Sequence, residues 1–218
     1  MERRGYRSSR REEQARLTRR RVLEAASAEF LERGFARATM RAIAARAGVS
    51  VPTVELLFGT KGRLLKAAID VAIAGDHEPV PVLDRSWAEA AVRAEGPDGF
   101  LAVVADVVGA AQQRSAGLVL AAFEAAGADS ELAELAAELA AQRGTTAAWI
   151  VDQLSRKASL RADGTAEEAV DTVWILMDPA VFDRLTRRRG WTVPRYQRWF
   201  AGSVGRLLID TQPGRRTP

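Results

Sequence analysis

Apolar residues along the first third of the chain recur at helical intervals, and small punctuating residues interrupt them where helices have to stop. Val22, Leu23, Ala26, Phe30 and Leu31 share one face of a first helix, which Gly34 ends by supplying a left-handed residue. Thr39 is placed to cap a second helix with Met40, Ile43, Ala44 and Ala47 turned inward; its alanines allow another helix to approach closely. Gly48 then turns the chain, Ser50 caps a third helix and Pro52 sits in its first turn, where the missing N–H costs nothing. Val49, Val54 and Phe58 close a small core beneath it. A fourth helix starts near Thr60 or Lys61 and carries Leu64, Leu65, Ala68 and Ile69. Two short helices joined by three or four residues make a helix-turn-helix, an arrangement that presents its second helix to DNA.

The remainder also reads as helix, with no β-alternating run of convincing length. Gly75, Pro79 and Pro81 within GDHEPVPVLD are incompatible with a continued helix and mark a connector. Helices are expected near 85–95, 98–115, 117–127 and 130–158, the last bent at Gly144. Thr165 and Glu168 form a capping box that opens a helix through Val170, Val173, Trp174 and Met177. Asp178-Pro179 breaks it, Val181, Phe182 and Leu185 resume the apolar stripe until Gly190, and a last helix runs from about Pro194 to Asp210. The pattern gives an all-α chain in four parts: a disordered basic arm over 1–16, a DNA-binding domain over 17–74, a second helical domain over 75–212, and a disordered tail over 213–218.

Charge sharpens the division. Residues 1–66 hold 16 Lys and Arg against 7 Asp and Glu, whereas the rest holds 16 against 21, so the basic charge sits with the proposed DNA reader. Such a field attracts polyanions and speeds encounter without specifying sequence. Nine arginines fall within the first 21 residues, consistent either with an arm along phosphates or an adjacent minor groove, or with a solvated tail. The chain has no cysteine and a single histidine, His77, which excludes disulfides, thiolate metal sites and histidine clusters; no metal and no cofactor are expected. No run approaches the ~18 apolar residues of a membrane span and no secretory signal is evident, so the expected compartment is the cytoplasm. Glu131, Glu134, Glu138 and the pair Glu167 and Glu168 fall at exposed helical spacings that read as solvated faces. No Ser/His/Asp set assembles around His77, itself read as solvated or as a ligand-orienting group, so an enzyme is not expected.

The segment from Phe30 resembles the DNA-binding domain of the TetR-type transcriptional repressor family. The resemblance is carried by Phe30–Phe35 with its ERGF turn, T-M-R-A-I-A at Thr39–Ala44, A-G-V-S at Ala47–Ser50, Thr53, Phe58, and K-x-x-L-L at Lys61–Leu65. The family usually has tyrosine and often histidine where Glu55 and Leu57 stand here, and that tyrosine commonly grips the DNA backbone. A carboxylate would repel phosphate; Glu55 is left as an acceptor for a cytosine N4, a cap or partner of Arg63 or Lys61, or a solvated charge. The C-terminal string D-x-x-W-x-L-x-x-P at Asp171–Pro179, R-G-W at Arg189–Trp191 and Y-x-x-W-F at Tyr196–Phe200 is similar to that of actinobacterial members.

The resemblance implies a homodimeric, ligand-responsive repressor on a palindromic operator of double-stranded DNA. In that reading Thr39, Ser50, Thr53 and Lys61 hold phosphates while Arg41, Val51, Pro52 and Glu55 reach base edges. Phe182, Leu185, Trp199, Ser203 and Leu207 are the dimer-interface candidates. Phe100, Val104, Val107, Phe123, Trp149, Trp174 and Met177 are candidates for lining a cavity for a small apolar or aromatic effector; each could equally fill an ordinary core. The competing readings are a helical small-molecule-binding protein with weakened DNA binding and, further off, an enzyme using the same cavity.

Overall fold

The computed structural model describes residues 2–78 and 80–210, with side chains from Glu12 onward. The tail expected over 213–218, Pro79 in the connector and the arginine side chains before Glu12 lie outside the described residues. Among the described residues there is no β-strand, only an antiparallel bridge between Leu160 and Ile209.

The chain divides into two compact units, and the division departs from a simple boundary near residue 75. The first unit combines residues 1–72 with 117–136; the second combines 73–116 with 137–218. The N-terminal unit thus recruits a segment that the connector alone would assign to the second domain. Leu118, Ala122, Leu132 and Leu135 of that segment are buried.

In the first unit, α1 (Glu2–Arg37) is interrupted at Gly34, whose φ of 70° only glycine adopts at low cost. Residues 2–16, expected as a disordered arm, continue α1 as helix. Arg, Glu, Gln and Ala are good helix formers, and a helix nucleated over Val22–Phe30 extends through them without a new nucleus. α2 (Met40–Ala47) and α3 (Val51–Phe58) follow, then α4 (Lys61–Ala74). Val22, Ala26, Phe30, Ile43, Ala44, Val54, Leu64, Leu65 and Ile69 are all buried, as their spacing requires.

The second unit holds a 3-10 turn (Val82–Asp84), α5 (Ser86–Arg93), most of α6 (Gly96–Ala125) and of α7 (Ser130–Ser155), α8 (Ala166–Leu176), α9 (Pro179–Asp183), a π turn (Arg184–Arg188) and α10 (Val193–Leu208). Two helices expected over 98–115 and 117–127 are one. Nothing between them terminates a helix: Ser115 returns its hydroxyl to Ala111 O at 2.8 Å, and Gly117 has no left-handed φ. α7 passes Gly144 unbroken and stops at Ser155. The Thr165–Glu168 capping box forms with both hydrogen bonds present, and Asp178 caps α9 after the break.

The core of this unit gathers Phe100, Leu101, Val104, Ile150, Leu154, Val173, Phe182, Phe200 and Val204 around Tyr196. Tyr196 meets Phe182 edge-on at 4.9 Å and donates its hydroxyl to Leu176 O at 3.1 Å. Burial, with the Asp178 charge adding to it, pushes the phenol well above its ordinary pKa.

Candidate nucleic-acid interface

The turn between α2 and α3 consists of Gly48, Val49 and Ser50. Gly48 takes a left-handed conformation at φ 66°, and the N–H groups of Gly48 and Val49 close α2 by donating to Ala45 O and Ala44 O at 3.2 and 3.0 Å. Thr39 caps α2 by accepting from Ala42 N at 3.1 Å. Ser50 caps α3 by accepting from Thr53 N at 3.3 Å, and its hydroxyl lies 2.8 Å from that of Thr53. These caps set the start and direction of each helix.

Val54 and Phe58 anchor α3 from below. The opposite face presents Ser50, Pro52, Glu55 and Leu56, with Thr39 and Arg41 of the preceding segment also exposed and Val51 and Thr53 half-buried. Leu56, which spacing left on the rim, is 87% exposed. Glu55 pairs with neither Arg63 nor Lys61: Arg63 lies 3.8 Å from Glu131, and Lys61 is turned elsewhere. Among the described residues Arg41 and Glu55 make no side-chain ion pair, so both charges are free for an incoming ligand.

Lys61, expected among the phosphate ligands, also has partners within the chain. Its ammonium donates to Phe35 O at 2.8 Å and Ala38 O at 3.0 Å, and lies 4.1 Å from the centre of the Phe35 ring. Partial burial lowers its pKa from the ordinary lysine value. Two of its three N–H groups therefore tie the start of α4 to the end of α1, leaving one for anything outside.

Three supports for this surface escaped the sequence reading. Arg19 donates to Leu57 O at 3.3 Å and lies 4.4 Å from the centre of the Phe58 ring, holding the end of α3. Arg46 reaches back to Glu29 at 3.0 Å and Glu32 at 2.6 Å, clamping α2 onto α1. That hydrogen bond holds Glu32 below the usual carboxylate range and raises Arg46. Glu131, read as part of a solvated face, receives the Thr60 hydroxyl at the start of α4. The i,i+3 and i,i+4 spacings expose pairs within one helix, but give no warning of a partner 17, 38 or 71 positions away.

The other candidate site residues separate into groups. Phe100 and Val104 are fully buried, Met177 is 8% exposed, and all three belong to the second unit's core with half-buried Trp149 and Trp174 against it. Val107 is half-buried on α6. Phe123, half-buried, falls in the segment grouped with the first unit. Of the interface candidates, Phe182 and Ser203 are 5% and 7% exposed within a single copy. Phe182 is spent on Tyr196, and Ser203 faces inward one turn from Phe200. Leu185 and Trp199 are half-buried against the same core, while Leu207 is exposed, as is Ile175 on α8. His77 is exposed in the connector. Among the described residues no helix is long and apolar enough to cross a membrane, and no group of His, Asp or Glu is arranged to hold a metal ion.

Residues 22–68 match the profile of the bacterial regulatory proteins of the tetR family. No curated protein matches the chain. Among solved structures it is similar to a protein described as a TetR-family transcriptional regulator from Rhodococcus sp., with TM-score 0.66, 15% identity, and 88% of this chain and 98% of that one covered. A Saccharomonospora viridis protein described as a transcriptional regulator, in complex with choline, aligns with TM-score 0.65 and 19% identity over 88% of this chain and 97% of that one. NalD, the secondary repressor of the MexAB-OprM multidrug efflux pump in Pseudomonas aeruginosa, aligns with TM-score 0.64 and 20% identity over 91% and 100%. Residues 22–68 therefore match the tetR-family domain, and the chain as a whole shares the fold of these structures, an N-terminal helix-turn-helix domain followed by a helical C-terminal domain.

Proposed function

We propose that this chain, with its TetR-type N-terminal domain, is a cytoplasmic transcriptional regulator that binds a palindromic operator as a homodimer and is released by a small effector. The observation that carries the reading is the exposed face of α3, capped by Ser50 and anchored by Val54 and Phe58, within the segment that matches the tetR-family profile. One such helix contacts few base pairs; two related by a two-fold axis and set about 34–36 Å apart read successive major grooves. Thr39, Ser50 and Thr53 position the protein on phosphates. Arg41, Val51, Pro52 and Glu55 address base edges, joined by Leu56, whose exposed side chain suits a thymine methyl. Lys61 serves chiefly as a buttress. An effector needs to supply a coupling of only about 1–3 kcal/mol between the DNA-competent and incompetent states.

A gel shift with the DNA flanking the gene tests this reading. Wild type should show sequence-preferring, salt-sensitive binding, and Arg41→Ala should weaken it by about tenfold with dimerisation unchanged. Binding without any preference for the flanking DNA would sink the proposal.

Glu55 favours a second reading, a helical small-molecule-binding protein with weakened DNA affinity, because a free carboxylate on the DNA-facing helix repels phosphate. Glu55→Gln separates the two. A gain in affinity for all DNA alike supports the second reading, and a loss confined to operators with cytosine at one position supports direct readout.

A further inference from the structure

Two buried side chains in the second unit end on consecutive residues at the break between α8 and α9, and each leaves one polar atom without a partner. Gln112 of α6 is 8% exposed and donates its amide Nε2 to Met177 O at 2.6 Å. That bond fixes the orientation of the amide, because the reverse placement would set two oxygens against each other. Its Oε1 is then a buried acceptor with no hydrogen-bond partner among the described residues. Arg143 of α7 has a side chain 9% exposed, lies 4.1 Å from the centre of the Trp174 ring and pairs with Asp178 Oδ2 at 2.8 Å. Its Nε is a buried donor, likewise without a partner. The other Asp178 oxygen caps α9 by accepting from Ala180 N at 2.7 Å.

We propose that Gln112 and Arg143 are the polar anchor of the effector site, and that the site takes an apolar or aromatic molecule carrying an uncharged hydroxyl or carboxamide. The inference rests on the ligand-responsive reading above and names the effector's chemistry. Buried polar atoms are nearly always satisfied, and a hydroxyl or carboxamide carries both the acceptor that Arg143 Nε lacks and the donor that Gln112 Oε1 lacks. The charge of Arg143 is already balanced by Asp178. A carboxylate would gain little from this neutral pair and would face the Gln112 oxygen. A quaternary ammonium would face the guanidinium and has no N–H to offer. Trp174, which stacks on the Arg143 guanidinium, and Met177, whose carbonyl holds Gln112, make the surroundings of the pair apolar.

The test uses the full chain with three named probes, 2-naphthol, 2-naphthoate and trimethylphenylammonium, read by melting temperature and by tryptophan fluorescence. The expected result is a rise in melting temperature with 2-naphthol that exceeds the rise with either ion. Gln112→Leu, which replaces the amide by a side chain of similar volume, should weaken 2-naphthol by about tenfold. Arg143→Lys keeps the charge beside Asp178 but removes the Nε donor and should do the same, which covers the case in which Gln112→Leu does not fold. No response to 2-naphthol, an equal response to the ammonium probe, or unchanged 2-naphthol binding in the folded variants would overturn the proposal and leave the orphan atoms to bridging water. A gel shift on the same preparation keeps the two readings apart. Sequence-preferring DNA binding without 2-naphthol binding sinks the anchor and spares the regulator; the reverse result sinks the regulator and spares the anchor.

Discussion

The hydroxyl of Thr60 lies 2.8 and 2.9 Å from the two carboxylate oxygens of Glu131, joining the start of α4 to the first turn of α7. The same hydroxyl accepts from Arg63 N at 3.1 Å and so caps α4. Gly62 makes the contact possible, because a Cβ there would overlap the carboxylate and come within 2.6 Å of Glu131 Cδ. Gly62→Ala is expected to swing Glu131 away and lower stability by about 1–2 kcal/mol, the worth of the lost charge-assisted bond less the helix propensity gained. In a Glu131→Ala background the same substitution should be neutral or stabilising. Urea melts of the four proteins give the coupling, and additive effects would show that Gly62 is not there for Glu131.

Lys61→Met should leave Phe35 O and Ala38 O without their donor while keeping most of the side-chain volume. A loss of about 2–3 kcal/mol is expected from bonds to a charged group. The phosphate role gives a different signature, since a removed phosphate contact reduces the salt slope of DNA binding by about one. Unchanged stability with a reduced slope would return Lys61 to the DNA.

Phe182 and Leu207 separate core from surface. Phe182→Ala should cost about 3–5 kcal/mol of folding stability, because the Tyr196 ring loses its edge contact and a cavity remains. Leu207→Glu should leave the urea midpoint of a dilute sample nearly unchanged. If α10 lies at the dimer interface, sedimentation should show a weakened dimer for Leu207→Glu; a full-strength dimer moves the interface elsewhere.

The Tyr196 phenol should resist ionisation. Its folded pKa is raised, first by burial and then by the nearby Asp178 charge. Its stabilising contribution is therefore intact below the unfolded phenol's pKa of about 10 and is lost as pH rises above that value, because the unfolded chain releases a proton that the folded one keeps. In a Tyr6→Phe variant Tyr196 is the only tyrosine, and phenolate absorbance should appear together with unfolding, not before it. A smooth titration near pH 10 with the helical signal intact would contradict this.

The helix-turn-helix was legible in the chain because its determinants are local. Gly34 and Gly48 adopt left-handed turns, Thr39 and Ser50 cap, and Thr165 with Glu168 boxes a helix start, each acting over three or four residues. The alternation of Val54 and Phe58 with Pro52, Glu55 and Leu56 likewise predicts which face of α3 is exposed. Termination was less legible where no residue forbids continuation, as at Ser115–Gly117, and the same holds for the arginine-rich start of α1.

Sequence by itself determined the all-helical class, the caps and breaks, the basic bias of the first 66 residues and the departure at Glu55, all properties of near neighbours or of composition. Tertiary structure decided that Lys61 braces α1, that Glu131 serves α4, that Phe182 and Ser203 belong to the core, and that Gln112 and Arg143 converge on Met177 and Asp178. Each of these depends on residues at least 14 positions apart meeting in space, and helical periodicity specifies which face a residue shares, not what that face will meet.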